Sequence, residues 1–112
     1  MITNYKDIAE AKTKLIHRGY NKEYTFDIQN KCCRSNGHKF SPKDLCIIEY
    51  HRFQGAKTET NPSIVIALED TFSNKGILIV HDPIIKSGSF INFLEKVKIK
   101  LRTHVPKPMS GK

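Results

Sequence analysis

The chain has 112 residues, of which 38% are apolar and 27% charged, and it carries a formal net charge of +8. By surface scaling, a chain this long buries roughly 65% of its unfolded surface, enough for one modest core without metal or disulfide staples. No run approaches the ~18 apolar residues of a membrane helix, and MITNYKDIAEAKTK is charged where a secretory leader is apolar, so a cytoplasmic protein is expected, with no membrane partner.

The first predicted element is a helix over Asn4–Arg18. Asn4 is placed to cap it, Tyr5, Ile8, Ala11, Leu15 and Ile16 recur at helical spacing, and Gly19 supplies the left-handed stop. Tyr24, Phe26 and Ile28 then alternate with Thr25, Asp27 and Gln29, the pattern of a half-buried strand. Cys32-Cys33-Arg34 is a candidate short strand before the turn signal Ser35-Asn36-Gly37. Leu45–Gln54, Ser63–Glu69 and Gly76–His81 are the main strands. In the first of them, Leu45, Ile47 and Phe53 oppose Ile48 and Tyr50 by parity, so both sheet faces are apolar.

Ser87-Gly88-Ser89 caps a second predicted helix, Phe90–Thr103, with an apolar stripe of Phe90, Phe93, Leu94, Val97 and Leu101. Lys98/Arg102 and Lys96/Lys100 flank the stripe on its two sides. Residues 106–112 have no periodicity and read as a disordered basic tail after a single domain over 1–105. The expected fold is α+β: an antiparallel sheet of four to five strands with an N-terminal and a C-terminal helix packed on it. Either one helix covers each face, or both share a face and a second chain covers the other. The aggregation hazard of a bare Ile/Val face favours the second arrangement, a homodimer.

Cysteine chemistry points nowhere in particular. Cys32, Cys33 and Cys46 are too few for a disulfide scaffold, and adjacent cysteines make a strained pair, so reduced thiols are expected. With His38 they contain zinc-binding atoms, but C-C-x4-H-x7-C lacks the paired knuckle that brings two thiolates to one tetrahedral ion. No metal or cofactor is implied. Lys75-Gly76 and Lys86-Ser87-Gly88-Ser89 do not fit a phosphate loop, and capping explains the second.

One resemblance emerges from Tyr50-His51-Arg52-Phe53-Gln54-Gly55, the Asn61-Pro62 loop, Ser63–Leu68 and Lys75-Gly76-Ile77-Leu78. Together with Arg18-Gly19-Tyr20 ahead of the Tyr24–Ile28 strand, these resemble a group of short bacterial proteins often labelled phosphoribosylpyrophosphate synthetase. Gln54 stands where that group has Glu, and Val80-His81-Asp82-Pro83 replaces its Asp-Ala-Tyr-Gly. The resemblance implies a small domain of unknown function. The enzyme label would need an amide anion cradle and carboxylates placed for Mg²⁺, which this chain lacks as a Gly-rich acidic loop.

Two residue sets could carry function. Glu49 and His51 share a strand parity, so the carboxylate can orient the imidazole; Arg52 offers an anion contact, and His81 a second imidazole at a strand end. Such clusters also recur as plain cross-strand polar contacts. No Ser or Cys has an identifiable base beside it. The second set is basic: residues 86–112 hold seven Lys/Arg against Glu95 alone. Lys96, Lys98, Lys100, Arg102 and Lys107 are candidate phosphate contacts for nucleic acid, although lysines beside an apolar stripe equally describe a solvated helix face. Phe90 and Phe93 sit on the buried stripe, so that helix offers no ring for base stacking. A non-catalytic binding or assembly domain is the leading expectation, with nucleic-acid binding and a small-ligand or enzymatic site as alternatives.

Overall fold

The computed structural model describes residues 5–53 and 62–100. Helix α1 spans Ile8–His17. Its cap is Asp7, whose Oδ1 accepts from the Glu10 backbone at 2.9 Å, while Glu10 Oε1 accepts from Lys6 N at 2.6 Å. Asn4, the expected cap, lies outside the described residues. The helix stops where Gly19 takes φ +102°. Gly19 N then donates to Ile16 O and Tyr20 N to Leu15 O, each at 3.0 Å, and buried Tyr20 and Leu15 share one apolar cluster over this closure. Of the expected stripe Tyr5, Ala11 and Leu15 are buried, Ile8 is partly buried and Ile16 is exposed.

Seven strands are found among the described residues: β1 Lys22–Asp27, β2 Cys32–Ser35, β3 His38–Phe40, β4 Leu45–Phe53, β5 Ser63–Asp70, β6 Lys75–His81 and β7 Lys98–Ile99. Helix α2, Gly88–Lys96, lies between β6 and β7 in the chain. The strands form one sheet in the order β3-β2-β1-β6-β5-β4-β7. The class is mixed α+β as expected, but the sheet is larger than four to five strands and is not purely antiparallel. The β4-β5-β6 run and the β2-β3 hairpin are antiparallel, the latter turned by Asn36 and Gly37 at φ 51° and 80°. β1 instead pairs parallel with β6, and β7 parallel with β4. Turn residues specify hairpins locally, whereas a parallel partner arrives through a long connection that no local signal names.

The second helix is the larger correction. Ser87 Oγ accepts from Phe90 N at 3.1 Å, as a cap should, but the helix ends at Lys96 rather than Thr103. Val97 is extended and buried, and the chain continues as β7, with Lys100 N donating to Ile47 O at 2.8 Å. Val97-Lys98-Ile99-Lys100 satisfies strand alternation as well as helical spacing, and the open backbone edge of β4 decides between them. Lys98 therefore belongs to an edge strand, and Lys100 directly follows it, rather than either lying on a helix face.

Each sheet face carries its own helix. Phe90, Phe93 and Val97 pack with Tyr24, Leu45, Ile47, Ile64, Ile66 and Leu78 on one face. Ala11 and Leu15 of α1 pack with Ile48, Val65, Ala67 and Ile77 on the other. The homodimer was motivated by a bare face, and that ground is removed. Among the described residues no helix is long and apolar enough to cross a membrane.

Candidate functional site

A β-bulge decides which side chains of β4 meet. The register against β5 slips between Ile47, opposite Leu68, and Glu49, opposite Ala67. Ile48 is the extra residue, so Ile48 and Glu49 both face α1. Simple parity fails at this point: Leu45 and Ile47 lie on the α2 face, while Phe53 packs with Ile48 on the α1 face.

The bulge thereby delivers Glu49 and His51 to the two ends of α1. His51 Nε2 donates to Glu49 Oε1 at 2.9 Å, and Arg18 Nη2 donates to Glu49 Oε2. Arg18 Nη1 also donates to the Tyr5 hydroxyl at 2.9 Å. The Tyr5 ring closes the circuit, meeting the His51 ring edge-on at 4.8 Å between centroids. Burial pushes the Glu49 carboxyl up, but the hydrogen bonds from Arg18 and His51 outweigh it and hold the group below its ordinary range. Tyr5 and Arg18 escaped the sequence reading because they sit outside the strand and reach it only through the packing of α1.

This circuit is closed on itself. Both Glu49 oxygens are committed, and the imidazole nitrogen that faces them is spent on the carboxylate. Such an arrangement orients a histidine, as general-base chemistry requires. It serves equally to bolt α1 onto β4. Arg52 does not join it: it pairs opposite Ile64 and faces the α2 side.

His81 lies on the α1 face with His51 but makes a different contact. Ser63 and His81 are cross-strand partners, and Ser63 Oγ stands 2.7 Å from His81 Nδ1. A serine with a base beside it was not anticipated, since only the β5–β6 register brings the two together. Ser63 is buried, and no carboxylate among the described residues bonds His81, so the pair lacks the third group that orients a catalytic imidazole.

The basic candidates gather at the other end of the sheet. Lys98 and Lys100, with Lys43 from the 3-10 turn Pro42–Asp44, line a cleft of ≈ 240 Å³ whose carboxylates are Asp44, Glu69 and Asp70. Each of those is engaged by the protein. Asp44 Oδ2 accepts from Ser41 N and Oγ, Glu69 faces Lys75 at 4.0 Å, and Asp70 accepts from Tyr24, Phe72 and Asn74. The lysines are exposed and form no ion pair among the described residues. Lys96 borders the adjoining cleft of ≈ 260 Å³ with Lys31. Arg102, Lys107 and the expected tail lie outside the described residues.

The thiols and His38 do not assemble. Cys33 packs on the α2 face and Cys46 against the α1 face, while burial, with a smaller push from Cys32, drives the Cys33 thiol up to about 12. Among the described residues no group of three or more His, Cys, Asp or Glu is placed to hold a metal ion.

No protein-family model matches this chain, and neither a curated protein nor a solved structure matches it. The resemblance to the short bacterial proteins therefore rests on its quoted residues alone.

Proposed function

We propose that this protein is a non-catalytic binding domain whose ligand is nucleic acid, held through phosphate contacts at the end of the sheet where β7 pairs with β4. One observation supports this above others: Lys43, Lys98 and Lys100 line one cleft and are exposed, while beside them Asp44 and Asp70 accept hydrogen bonds from the protein and Glu69 faces Lys75 at 4.0 Å. Exposed lysines that form no ion pair among the described residues, spread along a strand edge and its adjoining turn, can exchange small counterions for phosphates. Lys31 and Lys96 extend the same basic arc around the end of α2. Edge lysines also discourage strand-to-strand aggregation, and a solvated edge is the competing explanation.

Fluorescence anisotropy with labelled DNA and RNA separates the two. The protein should bind with a dissociation constant in the micromolar range at low salt, weakening steeply as salt rises. Lys98→Glu/Lys100→Glu should abolish that binding with an unchanged circular dichroism spectrum. Absence of binding at low salt, or binding indifferent to the charge reversal, would sink the reading.

A further inference from the structure

On the far side of the β5–β6 turn from the lysine cleft lies a second cleft, of ≈ 460 Å³, and the two share Asp70. Its lining includes three rings, His38, Phe40 and Phe72. Phe72 is 67% exposed, the highest exposure among the large apolar side chains described. It is not a stray surface ring. Phe40 meets it edge-on at 6.2 Å and His38 lies 6.4 Å away, with Phe40 in turn resting on the Tyr24 ring at 5.8 Å. Two rings, Phe72 and His38, thus stand at the surface on a buried aromatic footing.

The mount is rigid as well as exposed. Asp70 Oδ1 accepts from Phe72 N at 2.8 Å and from Asn74 N at 3.1 Å, and Ser73 N donates to Asp70 O at 3.0 Å. Opposite it, the tight Asn36-Gly37 turn holds the rim of the β2–β3 hairpin. Between these turns the lining offers Ser35, Asn36 and Asn74, side chains that donate and accept, with Lys22 as a cation at the edge. Flat rings, amide edges and a lysine are what a nucleobase and its phosphate require: a π-face to stack on, partners for the base edge, and a charge for the backbone.

We infer that this cleft takes an unpaired nucleobase, stacked on Phe72 and His38, so that the ligand of the lysine arc is single-stranded nucleic acid. The inference rests on the nucleic-acid reading above and narrows it. A duplex keeps its bases inside the stack and gains nothing from an exposed Phe72. A single strand whose backbone follows Lys98, Lys100 and Lys43 meets Phe72 next, beyond Thr71 of the same turn. Separation in the chain hid this arrangement: His38 and Phe72 come together only when β3 and the β5–β6 turn lie side by side.

The test compares a labelled oligothymidine with a duplex of the same length, and wild type with Phe72→Leu and Phe72→Trp. Wild type should prefer the single strand. Phe72→Leu should weaken single-strand binding by roughly 5- to 150-fold, the range that loss of one base–aromatic stack gives, and leave both the duplex affinity and the salt slope unchanged. Phe72→Trp should retain binding. Because the chain has no tryptophan, the new indole's fluorescence should be quenched on saturation with the unlabelled strand. Thermal melting verifies that each variant is folded. Equal affinity for single and double strands, or an unaltered affinity in Phe72→Leu, overturns the stacking site while the lysine reading stands. Quenching by a free mononucleotide without strand binding overturns it in favour of a small-molecule site. Binding of neither strand at low salt overturns both.

Discussion

Tyr24 donates its hydroxyl to Asp70 Oδ2 at 2.8 Å inside the protein, joining β1 to the turn that follows β5 across 46 positions of sequence. The same carboxylate accepts from the backbone of Phe72 and Asn74 and from the Asn74 side chain. It fixes the turn that carries Phe72 and ties that turn to β1, the strand that pairs parallel with β6. Burial pushes Asp70 up, but these donors prevail and hold it below the ordinary range. Burial, and then the bond to Asp70, push the Tyr24 phenol far above its ordinary value.

The pH dependence follows with opposite signs at the two ends. An Asp depressed by folding contributes stability that is complete above its unfolded pKa of about 3.9 and is lost as pH falls through the folded value. A phenol raised by folding contributes stability that is complete below about pH 10 and is lost as pH climbs beyond it. Tyr24→Phe should cost about 1–2 kcal/mol at pH 7, since a shielded carboxylate loses one donor. Its acid unfolding should begin at a higher pH than wild type, and its alkaline limb should flatten. Thermal melts by circular dichroism across pH 2–11 check this; a variant that melts like wild type at neutral pH and in acid would remove the bond from the account.

At the opposite end of the sheet, Arg18 spans Tyr5 and Glu49 with the two arms of its guanidinium. Arg18→Met should strand a Glu49 side chain that is only 15% exposed. Because Arg18 itself is 42% exposed, solvent blunts the loss, and about 1 kcal/mol is expected. Arg18→Lys should recover only part of it, because an ammonium cannot present two fixed donors. Glu49 is depressed, so its contribution is full above its unfolded pKa of about 4.3 and vanishes as pH falls below it. The difference between wild type and Arg18→Met should therefore shrink in acid. Carboxyl-carbon NMR titration should show Glu49 moving upward in the variant, and an unmoved titration would dissolve the circuit.

The sequence told most where the signal is local. Gly19, Asn36-Gly37 and Ser87 act through neighbours within a few positions, so the stop of α1, the β2–β3 turn and the start of α2 were legible. Signals that depend on distant partners were not. Val97–Lys100 fits either period, and only the edge of β4 makes it a strand. The bulge at Ile48 leaves no mark in the alternation Leu45–Phe53, yet it sets which face receives Glu49 and His51. Of the candidate site, the Glu49–His51 pair was readable along one strand. Arg18, Tyr5 and Ser63 were not, since each reaches the site from a different element.

The parallel seam between β1 and β6 depends on one residue without a side chain. A Cβ at Gly76 would lie 2.5 Å from the Lys22 carbonyl and 2.6 Å from the Tyr24 ring. Gly76 pairs opposite Lys22 and stands two residues before Leu78, which pairs opposite Tyr24, so the clash would fall on the register that holds the seam. The Lys22 carbonyl is backbone and cannot swing aside, and the Tyr24 ring is pinned by Asp70 and Phe40. Gly76→Ala should therefore destabilise the protein by about 1–3 kcal/mol, the ordinary cost of overpacking, although alanine suits a strand better than glycine does. The damage should be local to β1. Hydrogen exchange should speed up for the β1 and β6 amides at the seam and leave the β4–β5 ladder protected. Because Lys22 and the Tyr24–Asp70 bond both border the aromatic cleft, the variant should also weaken strand binding without touching Phe72. A stable Gly76→Ala protein with unaltered exchange in β1 would mean that β1 yields easily at this point, and that the seam is not the rigid footing the cleft requires.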